Sequence, residues 1–169
     1  MSVPDDPGRA ADLIEILSVA HAELLTPMVE KARRVRELIK SIDPFIQNHT
    51  SIVCPLCTNV CCINRHGRYD HYDLIYLLCL GHPPPADDPA IKDEDPCRFL
   101  TPSGCILERH LRPFRCTWHF CPELITAIER GPAKAYRTFL SQFQEIQRLR
   151  LELVEDFQRT LLTDGDKLD

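Results

Sequence analysis

The chain has 169 residues, 44% of them hydrophobic, and a formal charge of −5. That length holds one domain or a small domain with helical extensions, and that hydrophobic fraction excludes wholesale disorder. The acidic balance without a long basic run argues against a nucleic-acid partner, and no apolar stretch is long enough to span a membrane.

In chain order, residues 1–8 break on acid and proline and are expected to fray. Residues 10–25 carry Leu13, Ile14, Ile16, Leu17, Ala20, Leu24 and Leu25 at helical spacing. Thr26-Pro27 reads as an N-cap followed by proline at the first helical position, so a second helix is expected to run to Ile42, with Met28, Val29, Val35, Leu38 and Ile39 inward. One helix kinked at Pro27 is the other reading of the same residues. Asp43-Pro44 is expected to stop it. Lys31, Arg33, Arg34, Arg36 and Lys40 alternate with Glu30 and Glu37 and read as a solvated face.

Residues 44–69 show no period and are predicted to form loop around a metal. Asp70 is placed to cap a short helix from His71 to Leu80, closed by Gly81, and Cys79 reads as a core residue of that helix. Residues 82–96, rich in proline and acid, predict a surface loop. Residues 97–121 predict short extended pieces and turns, with Trp118 and Phe120 packed against the site. Pro122 to Arg130 is one short helix ended by Gly131, and Pro132 opens a long helix to about Leu162. Tyr136, Phe139, Leu140, Phe143, Ile146, Leu149, Leu153, Val154 and Phe157 give that helix one apolar stripe. A stripe needs a partner, which either the N-terminal helices or a second copy of the chain would supply. The expected fold is mainly α: an irregular cysteine-rich metal-binding core flanked by long N- and C-terminal helices packed as an antiparallel bundle. The segments are 1–43 (N-terminal helical), 44–121 (cysteine-rich core) and 122–169 (C-terminal helical), within one compact domain.

Eight of the nine cysteines fall between Cys54 and Cys121. Cys54, Cys57, Cys61 and Cys62 form a C-x-x-C-x-x-x-C-C cluster, followed by Cys97, Cys105, Cys116 and Cys121. Thiolates held together select Zn²⁺ or iron, the latter as single ions or iron–sulfur clusters. A disulfide framework is the competing reading. The N-terminus lacks a basic region followed by an apolar run, so a reducing, cytoplasmic setting is expected, where disulfides are rare. Nine is also odd, leaving one thiol unpaired in any full scheme. The C-x-x-C of Cys54 and Cys57 can turn both sulfurs to one ion. Adjacent Cys61 and Cys62 cannot easily do so, and either one ligates while the other packs or the two serve different centres. His119, between Cys116 and Cys121, is a further candidate ligand. Arg98, Arg112 and Arg115 are candidates to offset thiolate charge. A mononuclear zinc or a cubane cluster uses four ligands, so eight thiols would suit two centres, or one centre plus thiols for structure or for exchange.

The order Cys54, Cys57, Cys61 and Cys62, then Cys97-Arg98-Phe99-Leu100, then Cys105, then Arg112-Pro113 and Cys116, resembles the CxxCxxCC family of zinc- or iron-chelating domains, the YkgJ-like cysteine cluster proteins. The resemblance covers about residues 54–121. It departs at Leu107, where the family often has tyrosine, and at Thr117, where it often has arginine. It implies chelation by Cys54, Cys57, Cys61, Cys62, Cys97, Cys105, Cys116 and Cys121, of zinc or of iron as a cluster such as [4Fe-4S]. A similar pattern in flagellin lysine-N-methylases implies an iron–sulfur cluster, although this chain shows no Gly-rich nucleotide loop. Two functions are therefore expected. One is a non-enzymatic structural, carrier or electron-transfer module docked to a protein partner. The alternative is a subunit of a redox or protein-modifying enzyme that uses the cluster. No Ser-His-Asp set, phosphate loop or paired-carboxylate pocket is visible, which favours the first.

Overall fold

A computed structural model describes residues 22–83, 85 and 88–165, and the side chains of 25–83, 85 and 88–160. The helix expected over 10–25 therefore lies almost wholly outside the described residues. The protein is mainly helical, at 66% helix, as the periodicity predicts. In chain order the elements are α1 (Ala22–Val53), α2 (His71–Cys79), strands β1 (Leu100–Thr101) and β2 (Gly104–Cys105), α3 (Arg115–Trp118), α4 (Pro122–Glu129) and α5 (Ala133–Gly165). Single 3₁₀ turns occupy Cys54–Leu56, Asn64–Gly67 and Arg109–Leu111.

The expected stop at Asp43-Pro44 is not there. α1 passes through both Pro27 and Pro44 and ends at Val53, so ten residues assigned to the metal loop are helix. A proline inside a helix loses one hydrogen bond and crowds the preceding turn, at a cost of about 3 kcal/mol. Ile42 and Ile46, each 1% exposed, flank Pro44 on the buried face. Phe45 stacks on Phe139 with ring centroids 4.7 Å apart. Burying two isoleucines contributes about 1.5–3 kcal/mol each, which outweighs the proline.

The chain divides into two compact units. One comprises the described parts of Met1–Arg36, Tyr69–Ala86 and Ile146–Asp169. Its core takes Met28, Ala32 and Val35 from α1, Leu74, Ile75, Leu77 and Cys79 from α2, and Ile146, Leu149, Leu153, Val154 and Phe157 from α5. The three-and-four spacing of these positions puts them on one face of α1 and of α5, whereas α2 is buried on consecutive residues from Asp73 to Leu77 and again at Cys79. Asp70 caps α2 reciprocally. Its side chain accepts from the Asp73 backbone N–H at 2.9 Å, and the Asp73 carboxylate accepts from the Asp70 N–H at 3.3 Å. Gly81, at φ +74°, supplies the left-handed turn that follows. Asp73 is itself buried and accepts from Arg150 on α5 at 2.7 Å.

The other unit comprises Glu37–Arg68 and Asp87–Glu145. Leu38, Ile39, Ile42 and Ile46 of α1, Leu124 and Ile128 of α4, and Phe139 of α5 form its apolar part. Phe45, Phe120 and Phe143 all approach the Phe139 ring, and Phe143 also stacks on Phe114 at 5.7 Å. Tyr136, read as inward-facing, is 40% exposed. All eight clustered cysteines belong to this unit.

Candidate metal centre

The cysteine segment is shaped by backbone contacts more than by apolar burial. α1 hands the chain directly to Cys54, where Pro55 opens a single 3₁₀ turn. That turn closes with the Cys57 N–H on the Cys54 carbonyl at 3.2 Å, and the Cys57 thiol points to the Asn59 carbonyl at 3.3 Å. The segment after Cys62 is tied to the acidic loop by three bonds. The Asn64 N–H reaches the Asp95 carbonyl at 2.8 Å, the Arg65 N–H that of Asp93 at 3.0 Å, and the Asn64 amide that of Ile91 at 3.1 Å. An antiparallel bridge between Ile63 and Pro96, with the Cys97 N–H on the Cys62 carbonyl at 2.9 Å, sets Cys62 beside Cys97.

Cys97 leads into the hairpin. Leu100 pairs with Cys105, and the Leu100 N–H returns to the Cys97 carbonyl at 2.8 Å, so Cys97 and Cys105 lie at one end of it. Cys116 sits in α3 with its sulfur 4.0 Å from the His66 carbonyl. The neighbouring Gly67 is buried, and a Cβ built on it would lie 2.7 Å from the Cys97 sulfur. Two sulfurs from distant parts of the sequence thus rest against the His66-Gly67 backbone. Cys121 is the N-cap residue of α4.

The thiols also sense one another electrically. Cys54 is raised above the ordinary thiol value by burial and then by Cys61, Cys121 and Cys57, with Arg109 opposing. Cys116 is pushed up to about 11 by burial and then by Cys105 and Cys97, with Arg112 and Arg109 opposing. Cys61 and Cys62 share a hydrogen bond that holds Cys61 down to about 6 and Cys62 up; Cys62 also feels Cys116 and Cys54. Cys121 is raised by burial first, with Cys61 and Glu123 adding to it. Cys79 stands apart in the other unit, buried, and is pushed up to about 12 by desolvation alone, as a core residue should be. All nine cysteines lie among the described residues and none is joined in a disulfide.

Among the described residues no three His, Cys, Asp or Glu side chains stand drawn together as a ready-made ion site. Closure on an ion requires some of the thiols to turn toward the others. Three observations fit such a group. The donor set is thiol-rich, and its members raise one another's pKa, a repulsion that a bound cation relieves. Gly67 leaves the space that the Cys97 sulfur uses. The Thr117 hydroxyl, beside Cys116 in sequence, is fully buried without a hydrogen-bond partner.

His119 lies at the end of α3, its ring 5.7 Å from that of His66. Its pKa is lowered by burial, then by Arg115 and His66. His66 in turn bonds the Cys61 carbonyl through Nδ1 at 2.8 Å. Of the three arginines expected to offset charge, Arg112 lies close enough to act on Cys116, and its Nε donates to the Leu107 carbonyl at 2.9 Å. Arg98 lies over the Phe99 ring and Arg115 over the Trp118 ring. Trp118, expected to pack on the site, is 45% exposed.

Arg109 is the residue the sequence reading missed. It is 5% exposed, pairs with Asp43 of α1, and donates to the Cys116 carbonyl at 3.2 Å. Its guanidinium acts on both Cys54 and Cys116. The only local hint is an arginine set between Leu107 and Leu111, and the partner that holds it is remote in sequence.

No family model, curated protein or solved structure matches the chain. Among the described residues no helix is long and apolar enough to cross a membrane.

Proposed function

We propose that this protein is a thiolate metal-binding module, holding zinc or an iron–sulfur cluster through Cys54, Cys57, Cys61, Cys62, Cys97, Cys105, Cys116 and Cys121. Its role is that of a structural, carrier or electron-transfer component that works with a protein partner, and the terminal helices form an antiparallel bundle that frames the cysteine core.

One observation carries this reading. From Cys54 to Arg68 and from Asp88 to Cys121 the buried residues are Asn64, Gly67, Phe99, Arg109, His110, Pro113 and Thr117. Phe99 is the single large apolar side chain among them. Apolar burial at about 25 cal/mol per Å² cannot order so long an irregular segment against about 1–2 kcal/mol of backbone entropy per residue. Metal ligation adds folding free energy that this segment's apolar burial does not, about 10–16 kcal/mol for a structural zinc. The eight thiols are concentrated in this segment.

A bound metal would supply cross-links between the turn at Cys54–Leu56, the hairpin and α3, or an electron-accepting site if it is an iron–sulfur cluster. The chain's own part is to deliver the sulfurs, to counter their charge with Arg109 and Arg112, and to fix Arg109 through Asp43. The resemblance to the cysteine-cluster family points the same way.

The test is metal and acid-labile sulfide analysis of protein purified without oxygen. Stoichiometric zinc in a colourless protein, or iron with sulfide and a dithionite-bleached absorbance, supports the proposal. Protein with only trace metal, whose melting is unchanged by a strong chelator, overturns it.

A further inference from the structure

We propose that the eight thiols divide into two separate four-thiolate centres, one from Cys54, Cys57, Cys61 and Cys121 and the other from Cys62, Cys97, Cys105 and Cys116, with the Cys61–Cys62 peptide bond as the boundary. This deepens the metal-binding reading and rests on it.

The geometry for the second group is the more direct. The Cys97 N–H bonds the Cys62 carbonyl at 2.9 Å, and the adjacent Ile63–Pro96 bridge fixes that register. Leu100 links Cys97 to Cys105 through its bond to the Cys97 carbonyl and its pairing with Cys105. Cys97 and Cys116 both bring their sulfurs to the His66-Gly67 backbone, at Gly67 and at the His66 carbonyl. Two of the four sulfurs thus rest on one turn, and backbone bonds tie Cys62 and Cys105 to Cys97.

The first group lies on the other side of Cys61. Cys54 and Cys57 share a 3₁₀ turn. The Cys61 carbonyl accepts from His66 Nδ1 at 2.8 Å, and the His66 ring lies 5.7 Å from that of His119, two residues before Cys121. The groups meet where Cys62 touches Cys61 and senses Cys54.

Chemistry agrees with four and four. A structural zinc takes four thiolates in a tetrahedron, and a cubane cluster also takes four cysteines. Loading one quartet with a divalent ion exchanges four thiol protons for one ion and leaves a net charge of −2, since four thiolates carry −4. Arg109, which acts on a member of each quartet, and Arg112, which acts on the second, are placed to offset it.

The experiment compares full-length wild type, Cys57→Ser, Cys105→Ser and the double variant, all purified without oxygen, for metal and sulfide per chain. It also follows Co²⁺ titration of metal-free wild type by its thiolate charge-transfer absorption. The expected result is two ions, or two clusters, in wild type. Each single variant keeps one with its spectrum unchanged, and the double variant keeps none. In wild type the Co²⁺ absorption should saturate at two equivalents, a readout that holds even if the variants do not fold. Loss of all metal from both single variants, or saturation with shared-ligand spectra, indicates one polynuclear cluster and overturns the division. Full metal retention in either single variant indicates one centre with spare thiols and also overturns it. A wild type without metal that takes up no Co²⁺ defeats the metal-binding reading itself, a result distinct from the other two.

Discussion

Gly67→Ala tests whether the Cys97 sulfur is a ligand where it now rests. The Gly67 backbone is outside the left-handed region, so alanine brings no conformational penalty of its own. Its methyl would lie 2.7 Å from the Cys97 sulfur, 3.9 Å from the Cys97 Cβ and 4.0 Å from the Phe99 ring. Ordinary contact begins at about 3.5–4.0 Å, so the sulfur must retreat by roughly 1 Å. A free thiol achieves this by turning about one bond, at a cost of no more than about 1.5 kcal/mol. A ligating thiolate cannot, because metal–sulfur distances tolerate only about 0.2 Å. The loaded protein must then absorb an overpacking cost of about 1–3 kcal/mol, which weakens metal binding by about 5- to 140-fold. Zinc affinity is measured by competition with a chromophoric chelator, and urea unfolding of the metal-free proteins isolates the packing cost. Zinc affinity within twofold of wild type refutes the reasoning. So does an equal loss of stability in the metal-free form, which would place the clash on Phe99 and the local packing.

Three further outcomes are expected. Asp73→Ala leaves the buried Arg150 guanidinium without its 2.7 Å carboxylate and removes a capping box, so stability falls by about 3–5 kcal/mol and Tm by about 6–20 °C, read by thermal circular dichroism. Phe143→Asp removes a half-buried ring stacked on Phe114 and Phe139 and costs about 2–4 kcal/mol in urea unfolding; unchanged unfolding and oligomeric state would mean that this face of α5 is solvent-bound. Cys79, with its pKa pushed up to about 12, stays protonated at neutral and mildly alkaline pH, gains thiolate only as pH rises toward that value, and resists alkylation in the native protein, while Cys79→Ala retains full metal content by elemental analysis.

The long helices were legible because their apolar residues recur at three and four over many turns and their ends carry punctuation. Asp70, Gly81, Pro122 and the Gly131-Pro132 pair each mark a boundary of α2, α4 or α5 to within a few residues. Pro44 misled because the rule that stops a helix there is local, whereas the burial of Ile42 and Ile46 and the stacking of Phe45 on Phe139 are not. Asp70 was read as the cap of α2, correctly, but the buried pairing of Asp73 could not be seen: Arg150 lies far along the chain and shows only as one more charged residue on α5.

The cysteines themselves were plain, and their association was not. Spacing pairs Cys54 with Cys57 and brings Cys116 near Cys121, yet the structure sets Cys116 with Cys97 and Cys105 and lets Cys121 act on Cys54. In the proposed division neighbours in sequence fall in different groups, and the register of Cys62 beside Cys97 depends on backbone bonds from the acidic loop that composition marks only as loop. The two misreadings near Pro44 and at Arg109 share one cause. Because α1 continues to Val53, it presents Asp43 in its interior and delivers Cys54 directly at its end. Asp43 then holds Arg109, and Arg109 reaches the Cys116 carbonyl while acting on Cys54. A single buried guanidinium, held by the helix that leads into the cluster, thus acts on thiols of both proposed groups. Removing its charge with Arg109→Met would leave the thiolates of both groups less compensated at once, so the same helix that orders the segment also sets the charge balance in which its sulfurs deprotonate.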